Sequence, residues 1–207
     1  AERILDKIEE PYFPERDFYI TDFGAQGDGQ TDSRPAIEKA IAKCNRAGGG
    51  RVVVPSGIWF CKGPIHLKSN VNLHLEEGAT IRFSDNTDNY LPVVLTRWEG
   101  TECYNYSPLI YYWQGTNVAI TGKGILDGNG KNGFVTWKPK QKPDQLLLRQ
   151  MGNNHYPVHK RIFGKGHWLR TPMIEFFGCK NVLVEGITII DSPFWAIHPV
   201  YCENVIV

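Results

Sequence analysis

Short apolar runs separated by glycine-marked corners recur along this chain. "VNLHLEEGATIRF", "VAITGKGILDG" and "VLVEGITII" place apolar side chains at alternate positions and break at Gly78, Gly122 and Gly186. A period of two bounded by glycine predicts short strands with one buried face. Each run follows an Asn-Val dipeptide: Asn70-Val71, Asn117-Val118 and Asn181-Val182, with a fourth at Asn204-Val205. The last two lie 23 residues apart and the first two 47, about twice that. Self-similarity at such a period predicts a stacked solenoid, here an all-β parallel β-helix. Residues one period apart then lie one above another at ~4.8 Å. The repeated asparagines predict a ladder of side-chain amides at one corner. Cys179 and Cys202 share the 23-residue spacing and are expected as stacked core thiols.

On this reckoning residues 70–117 hold two coils, and the 64 residues from Asn117 to Asn181 hold two more plus an excess. The excess is placed at about 131–168, a polar stretch with Pro and Lys and no strand alternation, read as an irregular insertion. Ahead of the strands, Ile37, Ala40, Ile41 and Cys44 form one apolar helical face, after an N-cap at Asp32 or Ser33 and before Gly48-Gly49-Gly50. A one-faced helix ahead of a β solenoid predicts a cap on its open end. Residues 1–16 are read as an N-terminal extension and 17–207 as the first part of the β-helix. Asn204-Val205-Ile206-Val207 closes the sequence in a strand pattern with no turn after it. The expectation is that further coils follow, in the same polypeptide or supplied by a second chain.

Composition narrows the function. The 23 basic residues balance 22 acidic ones, which gives no footprint for nucleic acid, and no apolar run reaches the length of a membrane span. The five cysteines are scattered without a CxxC pair, so neither a zinc site nor a disulfide framework is expected. The Gly24–Gly29 loop lacks the strand and helix flanks of a dinucleotide site.

"DFGAQGDGQTDSRPAIEKAIAKC" followed by "GGGRVVVPSGIWF" closely resembles the opening of the right-handed parallel β-helix proteins of the pectin-degrading superfamily. "LHLEEGATIRFS", "GILDGNG" and "LRTPMIEFFGCKNVLVEGITIIDSPFWAIHPVYCENV" are more specific and resemble the polygalacturonases, family 28 of the glycoside hydrolases, above all the bacterial branch acting on chain ends. The resemblance implies inverting hydrolysis of α-1,4-galacturonosyl linkages in pectin. It implies no cofactor and a pectic polysaccharide or oligogalacturonide as partner; the start at Ala1 without a leader suits an exported protein whose signal has gone, so a secreted or periplasmic location is expected. It also implies an Asn-x-Asp, an Asp-Asp, a Gly-His-Gly and an Arg-x-Lys, supplying an acid and a base on opposite sides of the scissile bond.

These motifs are not met here. Asn86-Thr87-Asp88 matches the first by letters but reads as a surface turn. No Asp-Asp dipeptide occurs, Gly166-His167-Trp168 departs from the third motif, and Arg161-Ile162-Phe163 from the fourth. No catalytic residue is therefore assigned, and the catalytic carboxylates are expected beyond Val207.

Three residues are candidates for binding sugar. Trp195 offers a ring platform, His198 a donor to a uronate carboxylate, and Arg170 a bidentate carboxylate partner. Trp195 and His198 are three apart, a spacing that puts them on opposite faces of a strand unless it bends. Lys138, Lys140, Lys142, His159, Lys160, Arg161 and Lys165 make the insertion basic, which suits a polyanion or a solvated loop. The other tryptophans (Trp59, Trp98, Trp113, Trp137, Trp168) read as core or loop anchors. His66 and His74 lack a third ligand, so no metal is assigned to them. The alternatives are a calcium-dependent polysaccharide lyase on the same fold, which needs clustered carboxylates, and a non-catalytic carbohydrate-binding β-helix.

Overall fold

The computed structural model describes residues 9–207, in which fifteen of the eighteen strands stack into three parallel sheets. The first sheet holds, in spatial order, β1 (Asp17–Tyr19), β3 (Gly50–Val54), β6 (Val71–Leu75), β11 (Thr116–Gly122), β15 (Lys180–Glu185) and β18 (Glu203–Ile206). The second holds β2 (Asp28–Asp32), β4 (Gly57–Cys61), β7 (Ala79–Phe83), β12 (Ile125–Asp127) and β16 (Thr188–Ile190). The third holds β5 (Ile65–His66), β10 (Ile110–Trp113), β14 (Ile174–Phe177) and β17 (Ile197–Val200). Each coil visits the sheets in turn, the right-handed sense that parallel crossovers take. Like residues stack inward: Ile65, Ile110, Ile174 and Ile197 form one column, and Val71, Val118, Val182 and Val205 another. The core between the sheets is built from such columns.

The asparagine ladder is present. Asn117 Nδ2 donates to Asn70 Oδ1 (3.2 Å), Asn181 Nδ2 to Asn117 Oδ1 (2.9 Å) and Asn204 Nδ2 to Asn181 Oδ1 (3.0 Å). All four have positive φ, between 51° and 62°, where asparagine is among the few side chains at ease. A second tight point is Gly122 (φ 111°), where a Cβ would lie 2.0 Å from the Leu75 carbonyl oxygen of the coil beside it.

The ladder corrects the coil count. Asn117 bonds Asn70 directly, so residues 70–117 make one coil and not two; the same holds for 117–181. Both enlarged coils leave the solenoid at the corner between the second and third sheets. The first excursion is a hairpin, β8 (Val94–Trp98) and β9 (Thr101–Asn105), whose turn residues Glu99 and Gly100 both have positive φ. Two consecutive residues of that kind suit a tight hairpin. The second excursion is not irregular, as the insertion at 131–168 was expected to be. It carries a 12-residue helix, Lys142–Asn153, and β13 (Ile162–Phe163), which pairs with β9 in parallel. Trp98, Cys103, Leu148, Phe163 and Leu169 form its own small core.

The cap forms as expected. Helix α1 (Arg34–Arg46) buries Ile37, Ala40, Ile41 and Cys44 against the first coils. Ser33 occupies the N-cap position without a side-chain cap, while the Asp32 carboxylate accepts from the backbone N–H of Arg34 (3.1 Å) and of Lys62 (2.9 Å). The cap is thereby tied to the next coil. The described part of the extension runs over the first sheet, where Pro11 and Phe13 border the groove that holds Asn72. All five cysteines are free, and Cys179 Sγ and Cys202 Sγ both donate to backbone carbonyls.

Asn117, like Asn181, both gives and accepts. Asn117→Ala loses two amide hydrogen bonds at ~1 kcal/mol each and places alanine at a positive φ, costing ~1–2 kcal/mol more. Asn117→Gly keeps the dihedral available and loses only the ladder share. The urea midpoints of the two variants should fall in that order, and equal midpoints would refute the separation.

Candidate functional site

The outward face of the third sheet carries one polar column. His66, Tyr111, Glu175 and His198 stand side by side on successive coils. The β8–β9 hairpin folds over this face: Tyr111 Oη donates to the Leu95 carbonyl (2.6 Å) and Thr96 Oγ1 to Glu175 Oε2 (2.6 Å). Glu175 is completely buried, and the same Oε2 lies 2.9 Å from His198 Nδ1. Its Oε1 is buried without a partner among the described residues. Burial pushes the Glu175 carboxyl above the usual range, opposed by the hydrogen bonds from His198 and Thr96. Burial lowers His66, the first rung, which bonds the Ser107 hydroxyl (3.0 Å) instead of a carboxylate.

Trp195, His198 and Arg170 are brought together. Phe194 and Trp195 lie in the turn before β17, so the chain bends between Trp195 and His198 and their rings meet at 4.6 Å. The opposite-face geometry of a straight strand is avoided in this way. Phe194 stacks on Trp195 (4.4 Å) and, almost parallel, on Trp98 of the hairpin (5.4 Å, 5°). The Arg170 guanidinium sits over Phe194 at 4.7 Å, with Nε donating to Gln141 Oε1 (2.9 Å) and Nη1 to the Pro193 carbonyl (3.4 Å). Among the described residues no carboxylate pairs with it. A half-buried cation over an aromatic stack, held by neutral acceptors, is open to an external anion.

The insertion supplies the adjoining wall. Asp144, in the first turn of α2 (Lys142–Asn153), is almost buried and accepts from His167 Nδ1 (2.7 Å) and the Trp168 N–H (2.6 Å). That clamp holds Trp168 edge-on to Trp137 (5.3 Å), with the Lys140 ammonium 4.3 Å from its ring centroid. The basic wall is thinner than its sequence suggests. Arg161 is buried, donating to the Tyr156 and Glu102 carbonyls, and Lys165 pairs with Asp88 (3.7 Å).

Asn86-Thr87-Asp88 is a surface turn, its Asn86 Oδ1 accepting from the Asp88 N–H (3.1 Å). Trp59, Trp98 and Trp137 are buried anchors, whereas Trp113 is 49% exposed, against expectation. His66 and His74 lie on different sheets. Among the described residues no group of three His, Cys, Asp or Glu side chains could hold a metal ion.

Glu175 and Thr96 were not singled out by sequence. Glu175 had a signal: a carboxylate inside "MIEFF" is a charge in a buried strand, and His198 follows 23 residues later, one full period on. Thr96 had none, because nothing local places the hairpin over the third sheet.

The chain is a right-handed parallel β-helix with polar and aromatic side chains gathered on one outward face. The family model described as rhamnogalacturonase A/epimerase, pectate lyase-like, matches residues 18–89. The structure of a hyperthermoactive exopolygalacturonase from Thermotoga maritima superposes with a TM-score of 0.94 at 48% identity, over 99% of this chain and 48% of that one. The exo-poly-alpha-D-galacturonosidase of Dickeya chrysanthemi is 39% identical over 118 residues, 54% of this chain and 19% of its own length. A probable polygalacturonase of Vitis vinifera is 28% identical over 91% of this chain and 35% of its own. The resemblance to polygalacturonases read in the sequence therefore holds, and the chain spans less than half the length of each of these relatives.

Removing the Asp144 clamp should loosen the insertion and spare the solenoid. In Asp144→Ala, limited proteolysis is expected to cut within 131–168 several times faster while the urea transition of the β-helix stays within about 1 kcal/mol. Cleavage elsewhere would place the clamp's role differently.

Proposed function

We propose that this chain forms the first coils of a pectin-directed glycoside hydrolase that cleaves α-1,4-galacturonosyl linkages with inversion, acting from chain ends. The single observation that supports this most is the convergence of Trp195, His198 and Arg170 at the end of the third sheet. An aromatic ring and two nitrogen-bearing groups suit a galacturonate unit, which presents an apolar sugar face and a carboxylate. In this reading Trp195 stacks on the sugar, and Arg170 and His198 take the carboxylate. Lys140 and Trp168 extend the contact towards the next unit. The carboxylates that activate water and protonate the leaving oxygen are assigned to coils beyond Val207, and the site of action to the cell exterior or periplasm. A pectic polysaccharide or its oligomers is the partner.

The reading is tested on the full-length protein with oligogalacturonides. Proton spectra should show the product released first as the β anomer, with no rise in ultraviolet absorbance. A rise would mark the double bond left by a lyase, and binding without turnover would mark a carbohydrate-binding module. Trp195→Ala and Arg170→Ala should each weaken oligomer binding by at least about fivefold, the loss usual on truncating a buried anchor. Unchanged affinity in both would remove these residues from the site.

A further inference from the structure

The Glu175–His198 pair has a build that packing alone does not require. A fully buried carboxylate is costly unless it is paired and hydrogen-bonded. Here one oxygen, Oε2, takes both available donors, Thr96 Oγ1 at 2.6 Å and His198 Nδ1 at 2.9 Å, while Oε1 is buried and unpartnered. Thr96 comes from the hairpin, Glu175 from β14 and His198 from β17, so three separate elements converge on one atom. The His198 side chain is 18% exposed and flanked by the Trp195 ring, and among the described residues its Nε2 has no hydrogen-bond partner.

We propose that Glu175 is a positioning residue that fixes the ring and proton of His198, so that Nε2 presents a charged N–H to the carboxylate of a bound uronate. This rests on the functional reading given above and names which group reads the anion. The Glu175 carboxylate accepts from Nδ1–H, which fixes the ring and leaves Nε2 turned outward, where an imidazolium donates to an anion. The other ionisable groups facing Glu175 do not compete. Tyr111 and Cys103 are both pushed upward by burial and stay neutral, and Tyr111 Oη is already bonded to the Leu95 carbonyl. Arg97 of the hairpin lies over the Tyr201 ring at 5.3 Å, and Arg170 lies over Phe194.

Glu175→Gln keeps the shape of the side chain and removes the anion that faces Nδ1. Thr96→Val removes the other donor to the same oxygen and leaves His198 as its partner. Trigalacturonate binding is measured by calorimetry, with the methyl-esterified trimer as the uncharged control.

The expected result is that Glu175→Gln weakens trigalacturonate binding about tenfold and leaves the ester indifferent to the substitution. An equal loss on both ligands, or no loss at all, overturns the proposal while leaving the functional reading intact. Should Glu175→Gln fail to fold, Thr96→Val decides it: binding of the acid trimer that is kept or strengthened upholds the proposal, and a loss is a refutation. If wild type binds no trimer, the functional reading fails. The positioning claim then rests on the ring nitrogens of neutral His198 read by nitrogen-15 spectra: an Nδ1–H tautomer upholds it and an Nε2–H tautomer overturns it.

Discussion

The amide ladder at Asn70, Asn117, Asn181 and Asn204 is the contact on which everything else depends. Parallel strands have no intrinsic reason to stop sliding past one another, and a slip of one residue turns every buried side chain outward. Each rung prevents this twice, by a left-handed backbone that few residues adopt and by an amide that bonds the amide of the next coil. With the corner pinned, isoleucine meets isoleucine and valine meets valine along the axis. The same register aligns His66, Tyr111, Glu175 and His198 on the outer face. Core and site are two faces of one alignment.

The outer column would be unremarkable in water. The hairpin changes its character by covering it, so that Tyr111 and Glu175 lose solvent while His198 keeps a little. Desolvation strengthens whatever electrostatic pairing remains and penalises whatever is unpaired. The hairpin is held in turn by β13 and by the small core around Leu148 and Phe163, and by the Trp98–Phe194 stack that runs straight into Trp195. The aromatic and cationic side chains therefore sit on a braced wall rather than on a free loop, with Arg170 resting on the same stack.

What was legible in the sequence was whatever repeats. The Asn-Val corners, the capping helix with Ile37, Ala40, Ile41 and Cys44, and the Gly-broken strands all follow local rules, and each lies where those rules put it. Trp195, His198 and Arg170 were singled out from residue type and from their place on the last coils, and the structure sets Trp195 against His198 and Arg170 over Phe194. The coil count was misjudged because 47 is close to two periods, and spacing alone does not distinguish an extra coil from a hairpin that leaves and returns. The helix at Lys142–Asn153 was hidden because "LLLRQM" buries little beyond Leu148 and shows no full apolar stripe. Thr96 was beyond reach, since its meaning arises only when a distant strand folds over Glu175.

Both excursions leave from one corner and return to it without disturbing a rung. Between neighbouring asparagines the chain spends 47, 64 or 23 residues, yet the amides meet at about the same distance each time. Length at that corner is thus invisible to the scaffold. The wall can be lengthened, shortened or exchanged there while the register of the solenoid is kept. Variation beside an unchanged frame is what such a separation makes easy.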